Sequence, residues 1–408
     1  MEALQALLED AFASHADKPA LLQPDGAAIT FGELERRCAA LCAQLSAAGA
    51  RARASVVFDT TNTDRAREVV SRLACLRLGA VWVPVDGGAA DFDDDARPAC
   101  RCRVVDGDGA VDAVADAATW PADALYLLRT SGTTGGAKFV AGSAKATLHR
   151  LKWQWDRFPW RDDDAMLLRT PATFVDSVAE VLGAALAGAP GACCGGDLGD
   201  LVQAAAATKA TRAVVTPSIL AVVLRSLDAA GATLEERLPA LRFWTVSGEA
   251  TRATLVDDFL RHAPGATLVN VWGSTETAAD ACFHVLLGAG AAPRGGGDPA
   301  VGFPLTRAVR VSLDGGEVLV AGAAVALGYA RGGAIVASPR FAGGAVRTCV
   351  EINHWFGGSP PNFRTLYLSQ IEVDSADLWT NRLLSSSSRS TTEELAPKLS
   401  HTLTLKSG

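Results

Sequence analysis

Apolar residues recur along the chain in short runs of strand length, with amphipathic stretches of helical length between them. The runs Ser55–Phe58, Val81–Val85, Leu125–Arg129, Met166–Thr170, Ala213–Thr216, Phe243–Val246 and Leu268–Trp272 are mostly apolar at consecutive positions. Such runs have no polar face, so they predict strands covered on both sides, as in parallel sheets. The stretches Phe31–Ala48, Arg65–Leu78, Ser177–Leu186, Pro217–Ala229 and Thr254–His262 predict helices. Local chemistry marks several ends. Thr30 with Glu33 predicts a capping box, Gly49 a helix stop, and Pro217 a helix start, where its missing N–H costs nothing. The alternation predicts an α/β fold with doubly wound sheets.

The rhythm changes twice. Past Gly288, GAGAAPRGGGDP has loop composition, and VRVSL and EVLVAG then flank Asp314-Gly315, which predicts a hairpin. This divides the chain into an α/β core over residues 1–287 and a small antiparallel β-rich subdomain over 288–348. Up to Thr348 the chain is dense in Ala; beyond it only Ala376 and Ala396 occur, and Ser385–Ser388 lies in a Ser/Thr-rich stretch. Residues 349–408 are expected to be an atypical, disordered tail foreign to what precedes it.

Composition narrows the function classes. Lys and Arg total 38 against 45 Asp and Glu, a formal charge of −7, which argues against a generic nucleic-acid or anionic-membrane surface. The longest uncharged stretch, Val181–Gly196, is too short and too rich in Gly and Ala to span a bilayer. The acidic opening MEALQALLED is not a secretory signal. Nine cysteines, an odd number without a paired C-x-x-C ladder, predict reduced thiols in a cytoplasmic protein. Cys100, Cys102, Cys193 and Cys194 read as core fillers.

The strongest chemical signal is YLLRTSGTTGGAK, Tyr126 to Lys138. A strand enters a loop whose glycines let backbone amides approach phosphate oxygens. Thr130, Ser131, Thr133 and Thr134 add hydroxyl donors around Gly132 and Gly135, and Lys138 adds charge. The loop is not a Walker A motif, because Ala137 and Phe139 stand where that motif needs Gly and Ser or Thr.

TSGTTGGAK resembles the phosphate signature of the adenylate-forming superfamily, which holds acyl-CoA synthetases, luciferases and the adenylation domains of nonribosomal peptide synthetases. Ala137 replaces the Pro most members carry. Four further blocks follow the family's order: ITFGELERRC, LRLGAVWVPVD, NVWGSTE and GEVLVAGAAVALGY. The resemblance implies ATP and Mg²⁺ as cofactors. A carboxylic acid is turned into an acyl-adenylate with loss of pyrophosphate, and then passed to a thiol, possible acceptor a phosphopantetheine in a longer protein. It implies that Trp272 covers the adenine, that Thr275 and Lys138 act on the reacting groups, and that Glu276 holds the metal. Gly248, Glu249, Ala250, Asn270, Gly273 and Ser274 would complete the nucleotide site.

TFVDSVAEVLGAALAGA resembles the family's substrate block, with its acid moved one position, from Val175 to Asp176, after Phe174. Adenylation domains for β-alanine, including Ebony-like and acyl-CoA synthetase family member 4-like enzymes, share this displaced acid and a second one, here Asp280. The implied pocket is Val175, Asp176, Ala179, Val214, Thr245, Ser247, Val271, Ala279 and Asp280, with two carboxylates around one ammonium. Ala179, in place of that group's Trp, is expected to enlarge it. Asp176 could instead cap the helix from Ser177.

The family's next block, RTGD, stops here at Thr348, followed by Cys349-Val350-Glu351. Neither the ribose-binding Asp nor the small C-terminal domain with its lysine is recognisable, so the C-terminal part is expected to be truncated or replaced. Such a chain would bind ATP weakly and adenylate slowly or not at all. Two other readings stand beside this one: an acyl- or aryl-CoA ligase, and a non-catalytic nucleotide-binding remnant. Partners are thus a small amino or carboxylic acid, with no nucleic acid and no membrane.

Overall fold

The computed structural model describes residues 1–61, 64–86, 100–103, 110–113, 118–130, 138–195, 198–291, 297–314, 317–336, 338, 340–342 and 344–348. Ser131, Gly132, Thr133, Thr134, Gly135, Gly315 and the tail 349–408 lie outside them.

The elements form largely where the pattern puts them. Val81–Val85, Phe243–Val246, Arg65–Leu78 and Pro217–Ala229 appear with the expected bounds. Thr30 Oγ1 accepts from the Glu33 amide at 3.2 Å, but the Glu33 carboxylate turns outward to Arg36 and Arg37. The box therefore forms by half, because two guanidinium partners outbid one amide. Gly49, at φ +91°, ends that helix as expected. The strand from Met166 stops at Leu168 rather than Thr170. The amides of Arg169 and Thr170 turn instead to the Glu180 carboxylate, 3.0 Å each.

Among the described residues there are two large sheets and one small one. The nine-stranded sheet runs Phe303–Pro304, Cys282–Leu287, Thr267–Trp272, Phe243–Val246, Arg212–Val215, Met166–Leu168, Gly191–Cys193, Pro19–Leu22, Ala28–Thr30. From Thr267–Trp272 to Pro19–Leu22 it is parallel. The eight-stranded sheet has Ala124–Thr130, Val81–Val85, Ser55–Asp59 and Cys100–Arg103 parallel at its centre. Helices cover these sheets, and the core closes on Trp82, Trp120, Trp244 and Phe259. This is the expected doubly wound α/β architecture. Cys193 and Cys194 are buried, free thiols. No helix of the described residues is long and apolar enough to cross a membrane.

The hairpin Val309–Asp314 with Glu317–Gly322 forms, and joins Ala345–Thr348 and Phe341–Ala342 in a four-stranded antiparallel sheet. The rest of 288–348 is shared out. Phe303–Pro304 edges the nine-stranded sheet, while Gly328–Arg331 and Ala334–Val336 edge the eight-stranded one. The reason is the unpaired edge: each large sheet leaves a strand with free amides and carbonyls that a returning segment satisfies.

Candidate functional site

Val214, Thr245 and Val271 stand near the carboxyl ends of three adjacent parallel strands, where open α/β sheets leave a crevice. The helix Asp176–Ala185 adds Asp176, Ala179 and Glu180 from one side. The helix Ala144–Arg157 adds Arg150, Trp153 and Gln154 from another. Together with Phe158, Met166, Phe243 and Val269 they enclose a cavity of about 10 Å³. That holds about one water. Ala179 lines the cavity together with the long side chains of Arg150, Trp153 and Gln154.

Asp176 lies in the helix's first turn, with Val175 at the N-cap and no side-chain capping bond, so it is not spent as a cap. Burial, and then the charge of Asp280, push its pKa up to about 6, against the pull of Arg150 and a hydrogen bond from Ser247. Asp280 is fully buried. It does not line the cavity: Arg150 donates to its Oδ2 from Nε at 2.9 Å and Nη2 at 2.7 Å. Burial raises the Asp280 pKa while the guanidinium opposes it. The picture of two free carboxylates around one ammonium is therefore revised, since one of the two already holds a cation. Glu180 is also buried and pushed up to about 7 by burial. Its oxygens accept from the Arg169 and Thr170 amides and the Thr170 hydroxyl.

A few residues beyond Val271 the chain makes a tight turn, Thr275–Thr277. Gly273 allows it: a Cβ there would sit 2.0 Å from the Ala279 carbonyl oxygen and 2.7 Å from Asp280 Cα. Ala278 and Ala279, at φ +51° and +79°, complete the reversal in the left-handed region. The turn presents Thr275 and Glu276 partly to solvent. Tyr329 donates to Glu276 Oε1 at 2.9 Å, and Lys138 Nζ lies 5.3 Å from the Tyr329 ring centroid. Lys138 and Glu276 thus meet on one aromatic ring. Burial and the Glu276 charge raise the Tyr329 hydroxyl's pKa, so it stays a donor. Thr130 pairs with Lys138 and donates to its carbonyl at 3.3 Å, closing the base of the hydroxyl loop.

The remaining expected residues are placed less directly. Trp272 is 5% exposed, packed at the end of its strand. Asn270 accepts from the Thr251 hydroxyl at 2.9 Å. Ser274 donates its amide to Thr277 Oγ1 at 2.8 Å. Gly248, at φ +85°, turns the chain so that the exposed Glu249 reaches the Ser218 amide and hydroxyl at the N-terminus of Pro217–Ala229; Ala250 follows. Val175, Ser247 and Ala279 are buried without lining the cavity. Phe174, 61% exposed, lies outside it.

Sequence reasoning passed over Arg150 and Tyr329. Arg150 had a signal: Thr147, Arg150, Leu151 and Gln154 form a stripe at helical spacing that is buried yet mostly polar. Polar groups on a buried stripe must have partners. Tyr329 sits inside the block GEVLVAGAAVALGY, and only folding shows that its hydroxyl reaches Glu276.

The cavity lies at the strand ends, and the strand that lines it at Val271 runs on into the turn that carries Glu276. The profile of the family described as AMP-binding enzyme matches residues 8–93 and 90–330. The chain belongs to that family. It is 33% identical over 233 residues to vanchrobactin synthetase VabF of Vibrio anguillarum, covering 53% of this chain and 8% of that protein. It is 31% identical over 225 residues to the beta-alanyl-bioamine nonribosomal peptide synthetase ebony of Drosophila melanogaster, covering 50% of this chain and 25% of ebony. The chain thus spans a quarter or less of the length of these relatives. The AMPPNP-bound form of the nonribosomal peptide synthetase FmoA3 has a similar fold, with TM-score 0.68 and 20% identity, covering 84% of this chain and 40% of that one.

Proposed function

We propose that the chain activates a small amino acid, β-alanine or another short β-amino acid, with ATP. The substrate carboxylate attacks the α-phosphorus, the bond to the β-phosphate's bridging oxygen breaks, and pyrophosphate leaves with that electron pair. The observation that carries this reading is continuity. One strand, Thr267–Trp272, lines the acid cavity at Val271 and then delivers Thr275 and Glu276 to the Lys138 side. A short acid anchored at Asp176 would have its carboxylate directed toward that turn. The ammonium would bind the ionised Asp176, with Ser247 as support, while Ala179, Val214, Thr245 and Val271 bound the chain length.

Among the described residues no group of three or more His, Cys, Asp or Glu could cage a metal. One carboxylate fits Mg²⁺, which keeps waters and takes phosphate oxygens as further ligands. Glu276 would hold it, and the ion would neutralise phosphate charge that otherwise repels the attacking carboxylate. Tyr329 orients Glu276 for this, and Lys138 adds a second positive charge. The family's hydroxyl loop, Thr130 with Ser131 to Gly135, would hold the phosphates, and Gly248–Ala250, Asn270, Trp272, Gly273 and Ser274 would surround the nucleotide. The buried thiols Cys193 and Cys194 support a reducing, cytoplasmic setting. The acceptor that follows would be a phosphopantetheine thiol.

ATP–pyrophosphate exchange on the full chain tests this. Exchange with β-alanine, exceeding that with α-amino acids, is expected. Exchange with fatty acids instead would make it an acyl-CoA ligase, and ATP binding without exchange a nucleotide-binding remnant.

A further inference from the structure

Arg150 stands between the cavity and Asp280. Its helix carries it into the core, where it is 6% exposed and Asp280 is 0% exposed. Three of its donors are engaged: Nε and Nη2 on Asp280 Oδ2, and Nη1 on Gln154 Oε1. The other Asp280 oxygen, Oδ1, is buried and has no partner. The pair is therefore one-sided, with a carboxylate half satisfied and a cation that borders the cavity. Glu180, the other acid lining the cavity, is turned to the Arg169 and Thr170 amides and the Thr170 hydroxyl. Asp176 and Asp280 thus share one resident cation, and within this trio one negative charge is left without its opposite, while Glu180 is held by neutral donors.

We propose that Arg150 is a specificity-determining residue: its guanidinium, fixed on Asp280 at the border of the cavity, sets a charge balance that a substrate with one ammonium group and no second cation completes. This rests on the reading of the site as an amino-acid-activating pocket. The physical logic is that a buried charge left without its opposite is costly, so a pocket selects the ligand that completes its balance. Removing Arg150 leaves two acids open to the cavity and calls for a second ammonium. Removing the Asp280 charge frees the guanidinium and calls for a second carboxylate.

Competitive ATP–pyrophosphate exchange on the full chain, with β-alanine, 2,3-diaminopropionate and aspartate, reads this directly. Arg150→Met should shift preference from β-alanine toward 2,3-diaminopropionate by on the order of tenfold or more. Asp280→Asn should shift it toward aspartate by a similar factor. The double variant, Arg150→Met with Asp280→Asn, restores the count and should return the preference to β-alanine, a coupling that independent sites would not show. Arg150→Lys keeps the charge and should keep the preference even if the single neutral variants fold poorly. A wild-type chain with no exchange on any of these acids would remove the reading of the site, and the proposal with it. A wild type that favours β-alanine while Arg150→Met and Asp280→Asn lose all three acids in equal proportion would overturn the proposal alone. So would an Arg150→Lys chain that shifts as Arg150→Met does.

Discussion

Among the described residues, two buried Arg–Asp pairs differ in how completely they are satisfied. Asp164 accepts at Oδ1 from Thr211 Oγ1 and Arg242 Nη2, both 2.7 Å, and at Oδ2 from the Arg161 amide and from Arg212 Nε and Nη2. Arg212 also donates to the carbonyls of Phe158 and Pro159. Burial pushes the Asp164 pKa up, but the Arg161 amide, Arg212 and Thr211 outweigh it and hold the carboxyl below its usual range. Asp280 has one oxygen bonded and one bare, and its pKa is raised. The first pair is scaffold, since every group is spent on the fold. The second borders a cavity and keeps unspent capacity, which is what a binding site requires.

That contrast can be broken by substitution, and the largest effect belongs to the scaffold. Asp164→Ala strands the buried Arg212 guanidinium, while Arg242 keeps Asp163, and should lower stability by about 3–5 kcal/mol, read by urea unfolding. The substrate preference of whatever still folds should not change. A well-folded Asp164→Ala chain with altered preference would erase the distinction between the pairs.

Gly273→Ala should cost about 1–3 kcal/mol, because its Cβ meets backbone at Ala279 and Asp280 rather than a side chain that can swing away. Since that backbone carries Asp280, substrate-dependent exchange should fall further than stability does. Equal losses in both would make the turn a purely structural element.

Acidity separates Asp164 from the cavity acid Asp176 by sign. Asp164 is depressed when folded, so its stability contribution is present above the ordinary carboxyl range and lost as pH falls through the folded value. Asp176 is raised to about 6, so its stability contribution is full below 3.8 and lost as pH rises through about 6. Its ionised form, the one that holds an ammonium, dominates only above about 6. Affinity for β-alanine should therefore drop about tenfold per pH unit below that value. A flat profile from pH 5 to 8 by calorimetry would contradict the assignment of Asp176 as anchor.

The smallest effect is at the rim. Glu249→Gln weakens a carboxylate at the N-terminus of Pro217–Ala229 and should cost about 0.5–1 kcal/mol in thermal unfolding, with substrate preference intact.

The central strands and their helices were legible because a buried parallel strand must be apolar throughout, and Val81–Val85 and Phe243–Val246 are. Asp176 was legible as a pocket acid because its motif fixes which turn of the helix it occupies. What the acid faces was not. Arg150 and Asp280 are 130 residues apart, and nothing local to either records their meeting. The Tyr329 bridge between Lys138 and Glu276 is hidden for the same reason, being a product of three distant segments. The early end of the strand at Leu168 was missed because Glu180, a helix residue, captures the next two amides.

The strands after residue 300 seal the outer margins of both large sheets. Phe303–Pro304 lies against Cys282–Leu287, and Gly328–Arg331 against Lys138–Ser143. A shorter protein ending at residue 300 would not simply lack a lobe. It would bare two ribbons of unpaired backbone, one beside the acid pocket and one at the foot of the hydroxyl loop, and adhesion between copies along those ribbons would follow.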